Sequence, residues 1–88
     1  MLKGKTKSGF EFEIDEKLAD DMELLEAIAE TAQNELALPA LIKKLLGPEQ
    51  KDRLYEHLRT KKGNVPIKKT MEEFEEIMNT ASEKTKNS

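Results

Sequence analysis

The chain has no cysteine and no tryptophan, and only three phenylalanines and one tyrosine. Without cysteine there is no disulfide, no thiolate metal ligand and no cysteine nucleophile. That absence fits a reducing compartment. There is one histidine, His57. A catalytic or metal role would need converging partners, and neither an HExxH spacing nor a second histidine is present. No apolar run approaches the roughly 20 residues of a membrane span. The opening MLKGKTKSGF lacks the apolar centre of a signal peptide. The expectation is a cytosolic protein with no membrane association.

What is there is charge. Of 88 residues, 38% are Asp, Glu, Lys or Arg, with a net charge of −3. Such a length holds one small domain, which buries only about 60–65% of its unfolded surface. Large apolar residues are few, so part of an apolar face is left for another chain. Homo-oligomerisation is therefore expected before any motif is read. The acidic balance disfavours nucleic acid, whose binders carry a basic footprint.

Residues 2–14 read as a hairpin. Phe10, Phe12 and Ile14 alternate with Glu11 and Glu13, the pattern of a half-buried strand. A two-residue Ser8-Gly9 loop would set Lys7 against Phe10 and mix the faces. A three-residue loop, Lys7 to Gly9, pairs Thr6 with Phe10, Lys5 with Glu11, Gly4 with Phe12, Lys3 with Glu13 and Leu2 with Ile14. Each lysine then meets a glutamate, and Gly9 takes the left-handed position of that loop.

Four helices are expected after it, at about 15–32, 35–46, 48–59 and 70–81. Asp15 caps the first, whose stripe is Leu18, Met22, Leu25, Ile28, Ala29 and Ala32. The second is the richest apolar stretch, with Leu38, Leu41, Ile42, Leu45 and Leu46 at helical spacing. Pro39 suits its first turn and Gly47 its stop. The third carries Leu54, Tyr55 and Leu58. Thr70-Met71-Glu72-Glu73 matches a capping box for the fourth, which carries Met71, Phe74, Ile77 and Met78. The polar SEKTKNS, residues 82–88, reads as a disordered tail beyond a single domain at 1–81. The fold class is α+β, mostly α.

No constellation carries chemistry. The acidic pairs Asp20/Asp21, Glu72/Glu73 and Glu75/Glu76 read as solvated helix faces. DEKLADDMELLE lacks the central glycine of a calcium loop. Ser8-Gly9 and Gly63-Asn64 are isolated turns, not a phosphate cradle. The lysines at 3, 5 and 7 and at 61, 62, 68 and 69 have no aromatic residues between them. The expectation is no enzyme, no cofactor and no metal. The outer edge of the second-helix stripe, Leu38, Leu41 and Leu45 with Tyr55, is the expected partner-binding surface.

Taken together, MLKGKTKSGFEFEIDE, D-x-E-LLEAIAE, LALPALIKKLLGPEQKDRLYEHLR, the G-x-VP segment at Gly63 to Pro66 and EEFEEIM resemble the small tail assembly chaperones of long-tailed phages and prophages of Gram-positive bacteria. The likeness spans roughly residues 1–80 and rests on the whole pattern. It implies a non-enzymatic protein in the host cytoplasm, absent from the mature virion. Such a protein binds and solubilises the tape measure protein and helps recruit tail tube subunits. Two rival readings are a small helical DNA-binding regulator, whose third helix would read DNA, and a generic self-associating interaction module.

Overall fold

The computed structural model describes the backbone of residues 1–86 and the side chains through Ser82. The chain folds as α+β, mostly α, with an N-terminal hairpin followed by four helices. Strands β1 (Leu2–Lys5) and β2 (Glu11–Ile14) pair in the register of the three-residue loop. Leu2 faces Ile14, Lys3 faces Glu13, Gly4 faces Phe12 and Lys5 faces Glu11. The Thr6 N–H donates to Phe10 O at 2.9 Å and the Gly9 N–H to Thr6 O at 3.0 Å. Gly9 has φ +95°, open to glycine at little strain. Gly4 is required for a different reason. The Phe12 ring lies across it, and a Cβ there would run into the ring.

On the outer edge of β2 the Gln50 side chain pairs with the Glu13 backbone. The Glu13 N–H donates to Gln50 Oε1 at 2.7 Å, and Gln50 Nε2 donates back to Glu13 O at 2.7 Å. The amide thus stands in for a neighbouring strand and blunts the edge.

The helix expected over 15–32 is two pieces. Asp15 caps a short 3-10 turn, Glu16–Asp20, and accepts from the Lys17 N–H at 3.0 Å. Asp21 is extended and begins a second element, α1 (Met22–Gln33), by accepting from the Glu23 N–H at 2.9 Å. One extended residue resets the helical phase. Leu18 and Met22 therefore do not share a stripe, and α1 turns Leu24 inward with Ala27 and Ile28 half-buried.

Asn34 closes α1 by donating its N–H to Glu30 O at 2.9 Å. Its side chain then caps a 3-10 turn, Glu35–Ala37, that leads into α2 (Leu38–Leu46). Gly47, at φ +85°, ends α2 with an N–H to Lys43 O bond of 2.8 Å. Pro48 starts α3 (Pro48–Leu58) at once, because it needs no N–H partner there.

Helix α4 (Ile67–Lys86) begins three residues before the expected Thr70 and runs past the expected end. The capping box does not form. Thr70 lies one turn inside, its N–H and Oγ1 both donating to Pro66 O at 3.0 and 2.7 Å. Val65-Pro66 ends the loop and lets the helix begin directly after it. At the far end the tail expected from Ser82 is helical through Lys86. SEKTK contains no glycine or proline to stop a helix already formed. Residues 87 and 88 of that tail lie outside the described residues.

The core sits between the hairpin and the helices. Phe10, Phe12 and Ile14 meet Leu41, Ile42, Leu45 and Leu46 of α2, Leu54 of α3, and Phe74 and Ile77 of α4. Among the described residues no helix is long and apolar enough to cross a membrane.

Candidate functional site

The leucine stripe of α2 lies mostly in the core. Leu41 is 3% exposed and Leu45 5%, both in the core, and Leu38 and Tyr55 are half-buried against it. Of the expected surface of Leu38, Leu41, Leu45 and Tyr55, Leu41 and Leu45 are corrected to core residues, and Leu38 and Tyr55 keep part of their area exposed. The reason is position. Helix α2 is packed between α1, α3 and the β2 face, so the centre of its wide stripe is covered. Burial of the Tyr55 ring raises its phenol pKa above the ordinary value. The Lys51 ammonium lies 5.4 Å from the centre of that ring.

The exposed apolar face belongs to α1. Met22 is 67% exposed and Leu25 56%. Ala29 and Ala32 are exposed beside them. Spacings of three, seven and ten residues from Met22 keep these four on one side of the helix. Glu23, Glu26 and Glu30 are exposed along the adjoining strip. Leu25 and Ile28 also line a cleft of about 230 Å³, together with Leu2, Leu18 and Met78. Just past α1, Leu36 is 87% exposed. Met22, Leu25, Ala29 and Ala32 belong to the stripe expected for the helix over 15–32; Leu36 was in no expected stripe. Leu24 is the signal in the sequence that α1 holds two apolar strips, and only one can face inward.

A second feature is a polar cluster where the hairpin loop meets α3 and α4. Glu73 is 7% exposed, against the expectation of a solvated carboxylate. Its Oε2 accepts from Thr6 Oγ1 at 2.7 Å and from Ser8 Oγ at 2.6 Å. Ser8 Oγ is also 2.9 Å from His57 Nε2. Since the serine proton is committed to Glu73, the histidine nitrogen is the donor of that bond. The Phe10 ring is tilted 50° against the His57 ring, centroids 5.6 Å apart, and the Arg53 guanidinium lies 5.4 Å from the Phe10 centroid. The Lys7 N–H donates to Glu76 Oε2 at 2.7 Å.

Serine, histidine and glutamate together invite comparison with a hydrolytic triad. In a triad the imidazole accepts from the serine at one nitrogen and donates to the acid from the other. Here the carboxylate and the histidine both meet the serine hydroxyl, and Glu73 lies 4.0 Å from the same Nε2. That geometry anchors the loop instead of drawing a proton toward the imidazole. The signal for Glu73 was its place in the stripe. Positions 70, 73, 74 and 77 share one helix face, and all four are buried. Among the described residues no group of acidic and histidine side chains is arranged to hold a metal ion.

The chain matches no protein-family model, no curated protein and no solved structure.

Proposed function

We propose that this chain is a non-enzymatic assembly chaperone of phage tails. It binds the tape measure protein and keeps it soluble, and it helps recruit tail tube subunits. It works in the cytoplasm of the bacterial host and leaves before the virion is complete. One observation carries the reading: α1 presents Met22, Leu25, Ala29 and Ala32 to solvent beside a row of glutamates. A long helical client exposes amphipathic faces before it assembles, and a helix-on-helix surface matches that need. The acidic row keeps the complex soluble and the contact reversible. The resemblance of the whole sequence pattern to tail assembly chaperones supports the same reading.

The test is co-expression with the tape measure protein of the same genome, followed by a pull-down and a solubility assay. The client is expected to become soluble and co-purify. A Met22→Asp, Leu25→Asp variant is expected to lose it while staying folded. An insoluble client with nothing co-purifying would overturn the proposal. A DNA-binding role has less support. Arg53, the central basic residue of α3, is turned toward Phe10 and Glu11. Binding to duplex DNA at low salt, where phosphate attraction is strongest, would revive it.

A further inference from the structure

We propose that residues 59–71 form a docking surface for an anionic lipid bilayer, which the chain touches without crossing. The first ground is charge. Residues 57–71 hold five basic side chains and no acidic one, while the rest of the chain, ten basic and eighteen acidic, nets −8. Lys61, Lys62, Lys68 and Lys69 are all exposed, and among the described residues none of their ammonium groups enters an ion pair. Lys68 and Lys69 stand in the first turn of α4, which has no acidic residue. The helix dipole disfavours cations at that end, so the two lysines are held there against local stability. The second ground is an apolar centre. Ile67 is 73% exposed and Met71, one turn further along α4, is 36% exposed. Lysines around an exposed aliphatic pair match a bilayer interface. Lipid phosphates take the ammonium groups, and the acyl boundary takes the aliphatic tips.

The surface is built before it binds. The Thr60 N–H donates to Asn64 O at 2.8 Å and the Gly63 N–H to Thr60 O at 2.9 Å. The Thr60 hydroxyl donates to Asn64 Oδ1 at 2.6 Å, and Arg59 Nη1 donates to Gly63 O at 2.7 Å. These bonds fix the loop that carries Lys61 and Lys62, so little order has to be gained on docking. Nucleic acid is the poorer match. Residues 57–71 contain no aromatic side chain on which a base could stack, and Ile67 gains nothing from a row of phosphates. The proposal departs from the expectation of no membrane association. Among the described residues no helix is long and apolar enough to cross a bilayer, but a contact at its surface needs no crossing segment. The α1 face lies apart from this surface. Met78 of α4 lines the cleft beside Leu25, and Ile67 is eleven residues earlier on the same helix, about 16 Å away at 1.5 Å per residue. The lipid contact therefore does not rest on the chaperone reading.

Co-sedimentation of the purified full chain with vesicles tests this with no client present. Vesicles of phosphatidylcholine alone are compared with vesicles of phosphatidylcholine mixed with phosphatidylglycerol. At low salt the bound fraction is expected to be at least about fivefold higher on the anionic vesicles, and at about 1 M salt to fall to the level on neutral ones. Lys68→Glu with Lys69→Glu is expected to abolish the difference between the two vesicles. It is also expected to melt no lower than the wild type, because acids suit the first turn of a helix. Ile67→Ser is expected to weaken binding to anionic vesicles about threefold or more while leaving it salt-sensitive. Met22→Asp with Leu25→Asp is expected to bind vesicles as the wild type does. Equal binding to both vesicles, or none to either, overturns the proposal. So does a lysine variant that binds like the wild type or melts well below it, or an Ile67→Ser chain that binds unchanged. Lysine-dependent binding to duplex DNA or to polyglutamate, without binding to anionic vesicles, would assign the surface to another polyanion and overturn it as well.

Discussion

Helices α1 and α2 are neighbours in sequence, pack on one another and are both amphipathic, yet they use their apolar residues differently. In α2 all four of Leu41, Ile42, Leu45 and Leu46 are buried, and the helix is walled in by α1, α3 and the hairpin. In α1 Leu24 alone is fully buried, while Met22 and Leu25 point to solvent. A stripe at helical spacing thus states that a face exists. Which way it points is decided by what fixes the phase of the helix. For α1 that is the Asp21 cap; for α2 it is Pro39 and Gly47 at its two ends.

This contrast sets an order of expected effects. The largest lies in the α2 core. Ile42→Ala removes a side chain with no exposed surface, and comparable truncations cost about 2–5 kcal/mol. A chain of this size has a total stability of roughly 4–13 kcal/mol, so chemical denaturation will show a large drop in midpoint. Next is Glu73→Ala, which removes the acceptor shared by the Thr6 and Ser8 hydroxyls at the hairpin loop, about 1–3 kcal/mol by the same assay. Gly4→Ala drives a methyl into the Phe12 ring and is expected to cost about 1–3 kcal/mol. On the α1 face the effect should nearly vanish. Leu25→Ser is expected to change stability by no more than about 0.5 kcal/mol. A loss comparable to Ile42→Ala would mean that α1 is buried where it is described as open.

The smallest effect reads the half-buried margin of the α2 core. Tyr55 is the sole tyrosine, so its ultraviolet absorbance titration reports one group. Burial favours the neutral phenol, so the folded chain should titrate above the ordinary value near 10. The folded state then holds this proton more tightly than the unfolded one. The stability it adds is present below the ordinary pKa and is lost as pH rises through the folded value. A midpoint at or below the value in denaturant would place Tyr55 in open solvent.

Much of this was legible before the structure. The hairpin register followed from matching lysines to glutamates and apolar residues to each other, since a slip of one residue exchanges the faces. Gly47-Pro48 marked the α2–α3 boundary because a left-handed glycine and an N–H-free residue suit that junction. The errors came where two local solutions were both good. Asp15 and Asp21 are both competent caps, and using both breaks one long helix into a turn and a helix. Glu73 fits a capping box in sequence, but Pro66 had already set the helix start, which freed the carboxylate to hold Thr6 and Ser8. The outward direction of the Met22, Leu25, Ala29 and Ala32 strip was missed because periodicity weighs every apolar residue alike, while packing rewards only the strip that meets the hairpin and α2.

The most direct test sets one aspartate on each helix and compares thermal unfolding by circular dichroism: Leu41→Asp on α2 and Leu25→Asp on α1. The account predicts that Leu41→Asp loses the cooperative transition, since a charge cannot be buried there without a partner. It predicts that Leu25→Asp keeps a native spectrum and melts within a few degrees of the wild type. A folded Leu41→Asp beside an unfolded Leu25→Asp would reverse the roles of the two helices and contradict the account.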